Sequence, residues 1–134
     1  MLSKGLRDEE KEQVNKAFNA LLSWEYIPEE WQKQDREKYS LYLKQQLDYS
    51  LNELISVEKR DLKDKLIQKH FDFELYLKLG EVLEQIIDLE PAKNRALIAE
   101  KIIFIYQVAQ EESKTFSFEL VQKINATKKY LSNS

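Results

Sequence analysis

Reactive side chains are scarce in this chain: it has one histidine, His70, and no cysteine. A nucleophilic triad or a zinc site needs His or Cys in greater numbers. A di-iron bundle needs Glu-x-x-His on two helices, yet the residue three before His70 is Ile67. With Phe71 and Phe73 beside it, His70 reads as a helix-end residue at the edge of the core. Carboxylates are plentiful, and Glu81, Glu84 and Asp88 share one helix face. Such a set could hold a hard cation or move protons, provided burial or a like charge tunes it. The same spacing describes a solvated face opposite an apolar stripe, which is the reading adopted here. Gly5 and Gly80 stand alone, so no glycine-rich phosphate loop can form. The expectation is a protein that is not an enzyme, with no catalytic residue, no metal and no cofactor.

Binding chemistry has more to work with. The most basic segment holds Lys59, Arg60, Lys63, Lys65 and Lys69, but Asp61 and Asp64 interrupt it. Lys123, Lys128 and Lys129 point in different directions on the last helix, and the net charge is −3. A nucleic-acid partner needs a continuous positive surface, so none is expected. The aromatic residues form the better candidate. Trp24, Tyr26 and Trp31 bracket Pro28. Tyr42 and Tyr49 fall within about 20° of Trp31 if one unbroken helix carries all three. Exposed, these five rings make a partner-binding face of the kind enriched in Trp and Tyr hot spots. Buried, they mean that the helix packs on two sides. Both alternatives stay open at this level.

The elements that must position these residues are helical. Hydrophobic residues make up 43% of the 134 and charged residues 34%, with two Gly and two Pro, too few turn-formers for a many-stranded sheet. The length suits a single domain over 1–134, with 1–7 and 132–134 as loose ends. Asp8, with Glu9 and Glu10 after it, predicts an N-cap. Val14, Ala17, Phe18 and Leu21 then give a first helix to about Glu25. Pro28 opens a long second helix with a stripe of Tyr39, Leu43, Leu47, Leu51, Leu54 and Ile55. Its break is placed in Glu58–Asp61, with Asp61 as a cap. Asp72 caps a helix striped by Leu75, Leu79, Val82, Leu83, Ile86 and Leu89. Pro91 opens the central helix, expected near 91–112. Ser117 caps a last one, with Leu120, Val121, Ile124 and Leu131 inside.

The central segment ALIAEKIIFIYQVA is apolar on two sides. Ile98, Ala99, Ile102, Ile103, Ile105, Tyr106 and Ala109 fill one arc, and Leu97, Phe104 and Val108 a second line. Little more than Glu100, Lys101, Gln107 and Gln110 is left for water. Such a helix is normally packed on two sides. Tyr76, Leu79, Gly80, Leu83, Ala92 and Ala99 locally resemble the helix pair of a tetratricopeptide repeat. Ala96 and Phe104 depart from that pattern, which covers a single unit. The resemblance implies a close helix pair over 73–112 and no family membership.

The expected fold is therefore an all-α, single-domain bundle of about five helices. No window is apolar enough for a membrane span, the first residues lack a signal-peptide pattern, and a cytoplasmic setting is expected. The leading functional expectation is a small interaction or regulatory module that binds a protein or peptide through Trp24, Tyr26, Trp31, Tyr42 and Tyr49. The alternative is an obligate homodimer closed by Leu97, Phe104 and Val108.

Overall fold

The apolar run from Ala96 to Ala109 forms the middle of α7 (Ala92–Ser113), which lies at the centre of the molecule. The computed structural model describes residues 2–114 and 116–131. Before α7 come α1 (Leu2–Ser23), the single turn α2 (Pro28–Glu30) and a π-helical segment, Trp31–Asp35. Next are α3 (Arg36–Leu47), α4 (Leu51–Ser56), α5 (Lys59–Gln68), α6 (Phe73–Ile86) and a 3-10 turn, Ile87–Leu89. α8 (Phe118–Thr127) and the 3-10 turn Lys128–Tyr130 follow. The chain is 84% helical with no strand among the described residues, so the all-α expectation holds. The expected number of about five helices is met approximately, because the long second helix is divided.

α6 and α7 form the principal hairpin, and α1 packs on α6. α4, α5 and α8 also pack on α7, while α3 bridges α1 and α4. Their inner faces merge into one hydrophobic cluster. Gly80 sets the closeness of the hairpin. A Cβ there would run into the Tyr106 ring, so only glycine lets the α7 tyrosine pack this closely on α6. No helix among the described residues is long and apolar enough to cross a membrane.

Several boundaries differ from expectation, each for a local reason. α1 begins at Leu2 rather than at Asp8, because nothing in 2–7 except Gly5 opposes a helix. The expected loose end at 1–7 is therefore helical from Leu2; Met1 and the tail 132–134 lie outside the described residues. The long second helix is broken at 48–50. Asp48 takes a left-handed conformation (φ 67°), and Ser50 with Glu53 forms a capping box that starts α4. The Glu53 carboxyl is drawn down to about 2, first by its bond from Lys44 and then by those from Ser50. The next break falls at Val57–Glu58, so Glu58 and not Asp61 occupies the N-cap position of α5. Asp72 and Ser117 cap α6 and α8 as expected, each accepting a main-chain N–H.

His70 is exposed rather than at the edge of the core. It is the left-handed residue (φ 61°) after α5, with its N–H bonded to Ile67 O and the Phe71 N–H to Leu66 O. Lys101 departs further from expectation. It is buried at 5% exposure and donates from Nζ to Ile55 O at 3.1 Å, closing the C-terminal end of α4. Burial lowers its pKa from the ordinary lysine value.

Candidate functional site

The aromatic residues assemble where the end of α1 meets α2, the π segment and α3. Trp31 is fully buried. Its ring meets Tyr26 edge-on at 5.4 Å and Tyr39 at 5.4 Å, while Trp24 meets Tyr42 at 4.9 Å and Tyr26 at 6.2 Å. Edge-to-face pairs of this kind add about 0.5–1.5 kcal/mol each beyond area burial. The phenols are satisfied by main chain: Tyr39 donates to Val82 O and Tyr26 to Leu21 O. Burial raises the pKa of both, with Asp35 adding to the effect at Tyr26.

The π segment explains why Trp31 lies inside. Its bond from the Arg36 N–H to Trp31 O spans five residues instead of four, so each later side chain is displaced by one position around the axis. Trp31, Tyr42 and Tyr49 therefore do not form one exposed line. Trp31 is core. Trp24, Tyr26 and Tyr42 are half-buried around it, and Tyr49 lies apart in the α3–α4 turn, with Lys65 Nζ 5.9 Å from its ring. The second expected face changes as well. Leu97 is 41% exposed and Phe104 half-buried, but Val108 is 1% exposed. Val108 is core and cannot meet a partner.

Behind the rings is a group that sequence reasoning passed over. The Glu90 side chain is fully buried, and its carboxylate accepts from Trp31 Nε1 (2.6 Å), Arg36 Nε (2.8 Å) and Nη2 (3.0 Å), and Asn94 Nδ2 (2.9 Å). Burial alone would raise its pKa. The bonds from Arg36, Trp31 and Asn94 outweigh that and hold it below the usual carboxylate value. Every lone-pair direction is occupied, so Glu90 fastens α3 to the start of α7 and has no face for a substrate. No periodic signal couples positions 36 and 90. The only hint is an acid directly before Pro91 in an apolar stretch.

The acidic face is also engaged. Lys123 Nζ lies 3.7 Å from Glu81 and 3.6 Å from Glu84, and Asp88 accepts from the Tyr130 hydroxyl at 2.7 Å. The three carboxylates thus divide between two partners.

The outer edge of the aromatic set opens onto a shallow cleft of about 380 Å³. Trp24 and Tyr26 form its wall, and Glu25, Asp35 and Lys38 its rim. A rigid aromatic wall beside two carboxylates suits a side chain with an apolar stem and a cationic tip. Comparison with protein-family models, with curated proteins and with solved structures gives no match.

Proposed function

We propose that this protein is a small interaction module that docks a protein or peptide segment on the outer edge of the aromatic corner. The cleft walled by Trp24 and Tyr26 carries the reading. Tyr39 and Trp31, packed behind the wall, hold the rings in place before a partner arrives, which limits the ordering cost of binding. Glu25 and Asp35 outnumber Lys38 on the rim, favouring a segment that presents Lys or Arg. The role is binding rather than catalysis, and the absence of cysteine suits a reducing, cytoplasmic setting.

An array of immobilised peptides, each with one Lys, Arg or Glu among small apolar residues, tests the proposal. The protein is expected to retain Lys- and Arg-bearing peptides, and Asp35→Lys to lose them with its melting temperature unchanged. Equal retention of the Glu series, or no response to Asp35→Lys, counts against it. A second reading, self-association through α7, rests on Leu97 and Phe104 seven residues apart. Sedimentation of the protein beside Leu97→Asp decides it: a dimer that the variant dissociates supports pairing, and a monomer in both excludes it.

A further inference from the structure

A second cleft, of about 450 Å³, lies between the first turns of α7 and the C-terminal 3-10 turn. Its volume is in the range of small-molecule sites, and it is unrelated to the aromatic corner. Ala92 and Ala96 supply an apolar floor and Tyr130 a half-buried ring, with Lys129 Nζ 5.1 Å from that ring, while Lys93 and Arg95 bring two cations. The one lining carboxylate, Asp88, already accepts from the Tyr130 hydroxyl at 2.7 Å.

Arg95 is held in position by neutral groups. Its Nε donates to Glu90 O at 2.8 Å and its Nη2 to Asp88 O at 3.4 Å, both main-chain carbonyls. No carboxylate pairs with it among the described residues, so its charge is fixed in place without being neutralised. Lys93 is exposed and likewise has no ion-pair partner among the described residues. By contrast, Lys65 and Lys69 share Asp48, and Lys123 bridges Glu81 and Glu84. In a protein of net charge −3, two cations without a carboxylate partner among the described residues, beside a single acid, are a local excess of positive charge.

We propose that this cleft binds a small molecule with an anionic head group and an apolar or aromatic body. The head, a phosphate monoester or a carboxylate, is bound by Arg95 and Lys93, whose N–H groups donate to its oxygens. The body lies on Ala92 and Ala96 against the Tyr130 ring. Both halves are required: the cations give the sign, and the floor excludes water from the contact.

The test titrates the full chain, followed by backbone amide shifts, with four probes: 1-naphthyl phosphate, 1-naphthoate, 1-naphthol and inorganic phosphate. At least one naphthyl anion is expected to saturate a single site, with shifts at Lys93, Arg95, Ala96 and Tyr130. The more tightly bound of the two identifies the head group. Lys93→Glu, at an exposed position, is expected to weaken binding about tenfold or more without changing the melt. Ala96→Phe, which fills the floor, is expected to abolish it. Equal binding of 1-naphthol overturns the role of the anion, and equal binding of inorganic phosphate that of the apolar body. Saturation by neither naphthyl anion, or an unchanged affinity in Lys93→Glu, overturns the site itself.

Discussion

Glu90 shows how one residue can hold three segments together. Its four accepted bonds join the π segment, α3 and the first turn of α7, with the Glu90 side chain itself at zero exposure. Glu90→Ala leaves the Arg36 guanidinium and the Trp31 indole N–H without their acceptor, at an expected cost of about 3–5 kcal/mol in denaturant melts. The linkage has a definite sign. The folded pKa is depressed, so the contribution is complete above the unfolded value and is lost as pH falls through the folded one. Glu90→Gln is therefore expected to flatten the acid limb of the stability curve. An acid limb as steep as that of the parent protein would remove Glu90 as its source. Periodicity did not reveal this residue, because it reports which face is apolar and says nothing about a pairing across 54 positions. Lys101 escaped for a related reason: a lysine on an apolar helix reads as solvent-facing until the open end of α4 is placed beside it.

At the scale of elements, the α6–α7 hairpin depends on the absence of one methyl group. Gly80→Ala gains about 1 kcal/mol of helix propensity but drives a Cβ into the Tyr106 ring. Overpacking of this kind costs about 1–3 kcal/mol, so the net change is expected to be destabilising. Adding Tyr106→Leu clears the ring, and a double-mutant cycle is expected to show a favourable coupling between the two changes. Strict additivity would mean that the contact is relaxed at no cost. The hairpin itself was legible in the stripe Leu75–Leu89 and the double apolar face of α7. So were the caps Asp72 and Ser117, which are local signals. The π segment was not legible, since one extra residue in a turn leaves no compositional trace. The break at 48–50 could have been read from Ser50-x-x-Glu53, but an uninterrupted leucine stripe on both sides concealed it. Ser50→Ala is expected to cost about 1 kcal/mol, measured against Ser56→Ala as a control inside the same helix.

For the molecule as a whole, the tyrosines set the alkaline limit. Burial, first among the causes, raises Tyr26, Tyr39 and Tyr106 well above the ordinary phenol value and takes Tyr76 to about 12. A raised folded pKa contributes stability that is complete below the unfolded value, about 10, and is lost as pH rises through the folded one. Stability is therefore expected to fall steadily above pH ~10, with the buried phenols ionising together as the chain unfolds. Tyrosinate absorbance and far-ultraviolet circular dichroism recorded on one pH ramp check this. Absorbance that develops fully while helix content holds would show that water reaches the phenols in the native state.

Among the described residues, three helices end on left-handed residues that are not glycine: Asp48 (φ 67°), His70 (φ 61°) and Lys114 (φ 55°). A chain with two glycines has placed neither of them at a stop. The molecule thus retains stability that ordinary substitution can recover. His70→Gly removes a Cβ from a conformation that disfavours it, in an exposed turn whose closing bonds are all main-chain, and a gain of about 0.5–1 kcal/mol is in reach. Asp48→Gly would gain less, because it forfeits the carboxylate that Lys65 and Lys69 share. For anyone wishing to harden this fold without touching its core or its clefts, position 70 is where to begin.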